Sequence, residues 1–291
     1  MKTILDHIGN TPLVKIESME DGYPANIFAK IEGFNPGGSI KDRIALNMIL
    51  DAEEKGLLKE GDTIIEPTSG NTGVALAMVA AMTGYKSKLM MPDSTSPEKM
   101  KMIRAFGGEV ILIDKSEWKD VHKVIEKIKE KIDSGERLVF LNQYENINNP
   151  GAHYIQTAEE IIEQMKDNSN VDFFVAGMGT GGTISGVGLK LKEKYPEIKI
   201  IGVQPVHGQT IEGLRSLEDF TPAVINLEVI DKIYDLESEK AMQARETLSQ
   251  EKGILVGPSS GAAIYVARQI AMENPGATIV TIFPDRGERY L

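Results

Sequence analysis

Short apolar runs alternate with segments of helical character along most of the chain. The run TIIEP (residues 63–67) is followed by NTGVALAMVAAMTGY (71–85), whose length and apolar content fit a helix rather than a strand. The alternation recurs through KLMMP (88–92), EVILID (109–114), DFFVAGMG (172–179), IKIIGVQP (198–205) and TIVTIFP (278–284). Strand–helix–strand units of this kind predict an α/β fold, with parallel-rich sheets covered by helices on both faces.

Two other segments bear on the organisation of the chain. Residues 117–138 (EWKDVHKVIEKIKEKIDSGERL) are strongly charged but carry an apolar stripe, which predicts an exposed amphipathic helix. Residues 142–153 (NQYENINNPGAH) hold the densest turn-forming sequence between the two alternating blocks. We expect the chain to cross there from one lobe to the other.

Composition narrows the possible partners and location. A chain of 291 residues can form two lobes, and its net charge of −11 repels nucleic acids and anionic lipids, so small-molecule partners are favoured. No apolar run approaches the roughly 20 residues of a membrane helix, and the N-terminus lacks a signal-peptide pattern, so we expect a cytoplasmic protein. With no cysteine and only four scattered histidines, neither thiolate chemistry nor a metal site is predicted.

The first of three glycine-rich turns is GMGTGGTISG (177–186), which follows an expected strand and opens a helix. Its backbone N–H groups and the helix dipole would form an anion cup that suits phosphate. Residues 177–182 also fit a dinucleotide-binding fingerprint, but that motif expects an acidic residue at the end of the next strand, where this chain has Gln204. A tight turn without a ligand is the other alternative.

The second turn is ILVGPSSGAA (254–263), which we place between a strand and a helix. The sequence around Ser259 matches the nucleophile elbow of α/β-hydrolases, whose triad histidine follows the serine along the chain. No histidine follows His207, so a hydrolase is excluded by chain order. Ser259 would then either bond a ligand or cap the helix.

The third turn is EPTSGNTG (66–73), again between a strand and a helix. Four side chains there can form hydrogen bonds: Thr68, Ser69, Asn71 and Thr72. A helix cap needs only one such residue, so the cluster together with the free N–H groups predicts a carboxylate site.

Four motifs, in this order and spacing, resemble those of one enzyme family: NPGGSIKDR (35–43), EPTSGNTG (66–73), GTGGTISG (179–186) and GPSSGAA (257–263). They are similar to the cysteine synthase (O-acetylserine sulfhydrylase) and cystathionine β-synthase family of pyridoxal-phosphate enzymes, and the likeness runs from residue 8 to residue 291. The resemblance implies the two-lobed fold of the tryptophan synthase β-subunit type, in a homodimer. The smaller, mobile lobe would comprise residues 35–144, and the larger, cofactor-binding lobe residues 1–34 and 145–291.

The resemblance also assigns residues to the cofactor. Lys41 would carry pyridoxal 5'-phosphate as an internal aldimine and then act as the catalytic base. Burial should lower the pKa of its amine below the usual value of about 10.4, because only a neutral amine forms an imine. Asn71 would bond the phenolic oxygen and Ser259 would face the pyridine nitrogen. The phosphate would lie on Gly179, Thr180, Gly181, Gly182 and Thr183.

The implied reaction is a β-replacement. The substrate carboxylate would dock on Thr68, Ser69, Gly70, Thr72 and Gln143. O-acetylserine or O-phosphoserine would lose its activated group, and the resulting aminoacrylate would take up sulfide or another sulfur donor to give L-cysteine. A neutral hydroxyl at Ser259 would make the ring a weaker electron sink than an aspartate would, which favours elimination over racemisation.

Arg215 lies where the sequence departs from the acetylserine-specific pattern. Residues 211–224 (IEGLRSLEDFTPAV) look more like the B-type cysteine synthases and the phosphoserine-using members. Arg215 would then bind a second anion, or else lie on the surface beside Glu212 and Glu218. Alternative functions are a cysteine-degrading lyase that releases sulfide, a cystathionine β-synthase and a non-catalytic cofactor binder.

Overall fold

Two sheets organise the computed structural model, which describes residues 3–17, 22, 25–118, 121–167 and 170–291. Within these residues the larger sheet has the order β1-β2-β10-β7-β8-β9 and the smaller one β5-β4-β3-β6. All neighbouring strands are parallel except the antiparallel pair β1 and β2. The strands are β1 Leu13–Ile16, β2 Asn26–Ile31, β3 Thr63–Pro67, β4 Lys86–Pro92, β5 Glu109–Ile113, β6 Leu138–Phe140, β7 Phe173–Gly177, β8 Lys199–Pro205, β9 Lys232–Leu236 and β10 Thr278–Phe283.

Helices cover both faces of each sheet. They are α1 Lys41–Glu54, α2 Asn71–Thr83, α3 Pro97–Ala105, α4 Lys115–Trp118, α5 Val121–Asp133, α6 Asn148–Ala152, α7 Ala158–Gln164, α8 Gly182–Lys194, α9 Ser238–Lys252 and α10 Pro258–Glu273. Short 3-10 turns lie at Ile4–His7, Glu32–Phe34, Leu227–Val229 and Gly287–Tyr290, and a π-helical turn at His153–Thr157. None of the helices in the described part of the chain is both long and apolar enough to cross a lipid bilayer.

Alternating side chains on each strand explain the layers. On β10, Ile279 packs with α9 and α10 on one face of the larger sheet, whereas Val280 packs with α7 and α8 on the other. On β3, Ile64 joins the core under α1 and α2, and Ile65 joins the core under α5. Strands that are buried on both faces need apolar residues at consecutive positions, which is why they read as continuous apolar runs.

The predicted α/β fold is confirmed, and the six apolar runs named above coincide with β3, β4, β5, β7, β8 and β10. The amphipathic helix is found as α5, although residues 119–120 lie outside the described residues. The division into a mobile lobe at 35–144 and a larger lobe at 1–34 and 145–291 stays a prediction. The strands β3 to β6 fall inside the first range, and the others fall in the second.

The strand expected at residues 254–256 is wrong. Only Val256 makes an isolated bridge, to Arg286. The backbone of this run bonds to the segment that follows β10, since Gly287 N–H donates to Leu255 O at 3.1 Å and Gly257 N–H donates to Asp285 O at 3.3 Å. Its hydrogen bonds are therefore satisfied without a place in the sheet.

Candidate active site

Four helix N-termini converge on one cavity between the two sheets. The helices α1, α2, α8 and α10 each contribute a cavity-lining residue from their first turn: Lys41, Asn71, Thr183 and Ser259. The first N–H groups of a helix have no partners within the helix, and the helix dipole is positive at this end. The cavity is therefore suited to a ligand that carries several negative charges.

Most of the residues that the sequence assigns to the site line this cavity: Lys41, Thr68, Ser69, Asn71, Thr72, Gln143, Gly179, Thr180, Gly181, Thr183, Arg215 and Ser259. The structure thus brings together segments that are far apart in the sequence. Gly70 and Gly182 lie in the same turns but do not line the cavity. A side chain at Gly70 would collide with Lys99, and one at Gly182 would collide with Asn149.

Lys41 is the first residue of α1 and lies within the cavity. Burial of its side chain lowers the pKa of the amine to about 8, and the Asp285 carboxyl opposes this shift. About a tenth of the amine is thus neutral at pH 7, far more than for a lysine with the usual pKa. This is the direction expected from the sequence.

The two glycines before Lys41 are required by close packing. Gly38 has φ +81, and a side chain there would lie 2.5 Å from the Arg289 guanidinium. A side chain at Gly37 would lie 2.5 Å from the Asp42 carboxylate, which accepts a hydrogen bond from Gly37 N–H. The NPGG turn therefore presents Lys41 only because these positions carry no side chain.

The turn between β7 and α8, for which the sequence predicts an anion cup, lines the cavity. Gly181 has φ +81 and is the N-cap of α8. Behind the turn, Asn149 Nδ2 donates to Thr180 Oγ1 at 3.0 Å, and His153 Nε2 lies 3.3 Å from Thr183 Oγ1. Both threonine hydroxyls thus have a side-chain partner that does not itself line the cavity.

His153 and Asn149 are functional candidates that the sequence analysis did not assign to the site. His153 is fully buried in the π-helical turn, and its Nδ1 lies 3.0 Å from Thr157 Oγ1. Burial, together with the positive charges of Lys41 and Arg43, lowers its pKa well below the usual range, so the ring is neutral. The turn sequence NNPGAH at 148–153 was their only signal.

In the loop between β3 and α2, some polar groups form hydrogen bonds within the protein and others are accessible from the cavity. Thr68 Oγ1 accepts N–H bonds from Gly70 and Gly73, at 3.1 and 3.2 Å, so it shapes the loop. Thr72 Oγ1 donates to Gln143 Oε1 at 2.8 Å. Ser69 is exposed and lines the cavity, so its hydroxyl is the most accessible of the loop.

Glu66 of β3 holds the backbone of Gln143 by a hydrogen bond. Its buried carboxylate accepts the N–H groups of Asn142 and Gln143, both at 2.9 Å. Burial raises the pKa of this carboxyl to about 8, although the two hydrogen bonds act in the opposite direction. The position of Gln143 thus depends on an acid at the end of β3.

Asn71 is bound at both ends of its amide. Its Nδ2 donates to Asp285 Oδ2 at 2.6 Å, and its Oδ1 accepts from Arg289 Nη1 at 2.6 Å. Tyr290 also donates its hydroxyl to Asp285. Asp285 and Tyr290 line the cavity, and the sequence analysis had recognised them only as part of the similarity at residues 284–291.

Arg215 lies at the cavity between two aromatic rings. Its guanidinium carbon is 5.7 Å from the ring centroids of both Tyr144 and Phe220. The two glutamates beside it in sequence have other partners, since Glu212 pairs with Lys99 and Glu218 lies near His207. Among the described residues no ion pair with Arg215 is found, so its charge faces the cavity without an anion.

The side chains present fit a phosphorylated aldehyde cofactor. An amine with a lowered pKa, an anion cup at α8 and the neutral hydroxyl of Ser259 lie around one cavity. In the described part of the chain, no group of three or more His, Asp or Glu side chains is placed to hold a metal ion. The site is therefore suited to an anionic organic cofactor next to Lys41.

Comparison with known families agrees with this geometry. Residues 4–285 match the family of pyridoxal-phosphate dependent enzymes, and the chain belongs to that family. The phosphate interpretation of the 177–186 turn is therefore the one that the family match favours. The predicted enzyme class and cofactor are confirmed.

Several curated proteins that match nearly the whole chain are cysteine synthases. A cysteine synthase of Staphylococcus aureus (strain N315) is 43% identical over 98% of this chain and 93% of its own length. Cysteine synthase B of Salmonella typhimurium is 41% identical over 100% of this chain and 95% of its own length. The chain thus belongs to the cysteine synthase family, as the motifs predicted.

Solved structures of related enzymes have the same fold. A hydrogen sulfide-producing enzyme from Fusobacterium nucleatum superposes with a TM-score of 0.93, at 42% identity and with 100% of both chains covered. O-ureido-L-serine synthase superposes with a TM-score of 0.92, at 39% identity, over 100% of this chain and 93% of its own. These neighbours differ in what their names say they produce, so the fold alone does not select a product.

Proposed function

We propose that this enzyme makes L-cysteine from an O-activated L-serine and a sulfur donor, by pyridoxal-phosphate-dependent β-replacement. One observation carries the proposal. The amine of Lys41, with its lowered pKa, lines the same cavity as the anion cup at 179–183 and the polar loop at 68–72. A cysteine synthase needs these three features together, and the cysteine synthase relatives support the same activity.

Pyridoxal phosphate, when bound, supplies an electron-withdrawing ring that stabilises negative charge at the α-carbon of an attached amino acid. The N–H groups at the start of α8 and the hydroxyls of Thr180 and Thr183 would hold its phosphate. Asn71 would contact the ring oxygen, and Ser259 the ring nitrogen. Ser259 is neutral, and the buried carboxyl of Asp285 is already bonded to Asn71 and Tyr290.

Lys41 would move the proton in this reaction. With its pKa lowered to about 8, the Nζ atom can both accept and release a proton near neutral pH. The amine would first anchor the cofactor and then, once displaced by the substrate, take the proton from the α-carbon. A lysine with an ordinary pKa would remain protonated and could not do so.

The loop at 68–72 would bind the substrate carboxylate. Ser69 and the first two residues of α2, Asn71 and Thr72, line the cavity, and Thr72 is already bonded to Gln143. Binding an anion there would draw the loop toward the larger sheet and exclude water from the reacting atoms. The small lobe at 35–144 is the unit that we propose to move.

Arg215 would recognise a second anion at the mouth of the cavity. Its guanidinium lies near the rings of Tyr144 and Phe220, while Glu212 pairs with Lys99 and Glu218 lies near His207. A planar fork of N–H donors suits the phosphate of O-phosphoserine or an anionic sulfur donor such as thiosulfate.

We also propose that the active form is a homodimer, on the basis of the family resemblance. Several large apolar side chains are exposed on the single chain, among them Phe34, Ile147 and Ile155. Light scattering after gel filtration would measure the mass in solution. A monomer at micromolar concentration would contradict this part of the proposal.

The function is tested by direct product analysis. The holoenzyme would be incubated with O-acetylserine or O-phosphoserine and sulfide, and in parallel with cysteine alone. We expect cysteine to form from an activated serine, with Lys41→Ala as the inactive control. Release of sulfide from cysteine without any synthesis of cysteine would contradict the proposal and identify a degrading lyase.

A further inference from the structure

We propose that Asp285 and Arg289 are positioning residues that fix the Asn71 amide in a single orientation at the cofactor site. The inference rests on the proposed function, because that function assigns Asn71 to the cofactor. It goes beyond that function in making the segment after β10, residues 284–290, a working part of the site.

The hydrogen bonds of Asn71 determine which end of its amide points where. Arg289 can only donate, so the atom at 2.6 Å from its Nη1 must be the amide oxygen. An ionised Asp285 can only accept, so the atom at 2.6 Å from its Oδ2 must be the amide nitrogen. If the amide were flipped, N–H would face a guanidinium and oxygen would face a carboxylate, and both contacts would be repulsive.

Asp285 and Arg289 are both buried, which is energetically unfavourable for side chains of this kind. They are 2% and 5% exposed, and neither forms an ion pair within the part of the chain that the structure describes. Burying a charged group is unfavourable unless hydrogen bonds compensate. Here the compensating bonds include those to the Asn71 amide, which lies between Asp285 and Arg289, together with the Tyr290 hydroxyl for Asp285 and the Gly37 carbonyl for Arg289.

The segment that carries both residues is itself held on two sides. Ile40 N–H donates to Pro284 O at 2.8 Å, and the isolated bridge Ser39–Asp285 joins the segment to the turn before Lys41. On the other side it bonds to residues 255–257, as described above. Arg289 also donates to Gly37 O. The frame around Asn71 is thus anchored independently of Asn71.

A double-mutant cycle tests whether Arg289 acts through Asn71. The variants are Arg289→Lys, Asn71→Ala and the pair, and the readouts are the absorption spectrum of the bound cofactor and its dissociation constant. We expect Arg289→Lys alone to shift the absorption maximum and to weaken cofactor binding roughly tenfold, since a charge-assisted hydrogen bond is lost. In the Asn71→Ala background the same substitution should change both quantities much less, since only the bond from Arg289 to Gly37 O is then affected.

Two further variants complete the test. Asp285→Asn should alter the same spectrum in wild type but not in the Asn71→Ala background. Arg286→Lys is the matched control, because Arg286 is the adjacent arginine of the segment and donates to Gly33 O at 2.6 Å, away from Asn71. It should leave the spectrum unchanged.

The outcomes separate the inference from the function on which it rests. Equal spectral shifts in both backgrounds, or a lower melting temperature with an unchanged spectrum, would overturn the role of Arg289 and Asp285 and make them merely structural. Failure of the wild-type protein to bind the cofactor at all would instead overturn the proposed function.

Discussion

Lys99 of α3 and Glu212, which immediately precedes Gly213, join the two halves of the cavity wall, with Nζ and Oε1 2.5 Å apart. Lys99 is 2% exposed, and its ammonium also lies 4.1 Å from the ring centroid of Tyr290. Within the described residues, the only ion pair found for this almost completely buried ammonium is with Glu212, which comes from the opposite side of the cavity.

Removing Glu212 should therefore destabilise the protein. We expect Glu212→Ala to lower the free energy of unfolding by about 1–2 kcal/mol, less than for a fully buried pair because the Glu212 side chain is 44% exposed. The double variant Lys99→Met with Glu212→Ala should recover part of this loss, since no buried charge remains. Urea unfolding measures both, and Glu218→Ala, whose carboxylate is exposed beside His207, is the control. Equal losses for Glu212→Ala and the control would contradict the coupling.

Cofactor loading should depend on the protonation state of Lys41. The pKa of this amine is lowered from 10.5 to about 8, so the amine is protonated below that pH and neutral above it. The rate at which the apoprotein takes up pyridoxal phosphate should accordingly rise with pH and level off above about 8. Borohydride should then fix the cofactor on the peptide that contains Lys41, and Lys41→Ala should remain folded but inactive. A midpoint near 10, or a different labelled lysine, would refute the assignment.

The buried Glu66 carboxyl should leave a signature in stability. Its pKa is raised from 4.5 to about 8, so between these values the folded protein holds a proton that the unfolded chain releases. The contribution of Glu66 to stability is thus present below about pH 4.5 and is lost as the pH rises toward 8. The difference in unfolding free energy between wild type and Glu66→Gln should become less favourable to wild type over this range. The exposed Glu126→Gln should show no such trend, and a flat difference for Glu66→Gln would disprove the shift.

Gln143 should govern capture of the substrate rather than retention of the cofactor. It bonds Thr72 Oγ1, in the loop proposed for the carboxylate, and the carbonyl of Pro67, which immediately precedes that loop. Gln143→Ala should raise the KM for the amino-acid substrate by roughly tenfold, the effect of one lost hydrogen bond to a charged group. Cofactor content, measured by absorbance, should stay at the wild-type level. Loss of cofactor from this variant would place Gln143 elsewhere in the mechanism.

Arg215 should discriminate between anionic and neutral substrates. We expect Arg215→Ala to cost about 1.5–3 kcal/mol in kcat/KM for O-phosphoserine or thiosulfate, the usual contribution of a charge-assisted hydrogen bond. The reaction of O-acetylserine with sulfide should change little. Arg215→Lys keeps the charge but loses the planar fork of N–H donors. Its kcat/KM for the anionic substrates should therefore lie between those of wild type and Arg215→Ala. Equal losses for all substrates would show that Arg215 only packs against Tyr144 and Phe220.

The elements of the parallel sheets could be predicted because their signals are local. A strand such as β3 is buried on both faces and reads as a continuous apolar run, and the turn that follows it carries its own polar residues. Residues 254–256 have the same apolar character but pair with the chain after β10. That choice depends on a partner about thirty residues away in sequence, which no local pattern encodes.

Some residues of the candidate site could likewise be predicted from the sequence, and others could not. The three turns were indicated by their glycine and hydroxyl residues between expected strands and helices, and Lys41 was indicated by the family resemblance of its motif. Asp285, Glu212 and Lys99 were not foreseen, although all three line the cavity. Charged residues are ordinarily solvent-exposed, so their burial becomes visible only when distant segments are brought together.

The bond between Arg289 and Asn71 also bears on when the protein becomes competent during its synthesis. Asn71 leaves the ribosome long before residue 289 is added, and the turn before Lys41 obtains its Ser39–Asp285 partner only at that late stage. The nascent chain can form β3, α2 and β4 early, since these contacts are close in sequence. The Asn71 amide, however, lacks its partner Arg289 until translation has passed that residue. A chain stalled before residue 285 would therefore have Lys41 and the turn at 179–183, but not the contacts of Asp285 and Arg289 that hold Asn71 and the turn before Lys41.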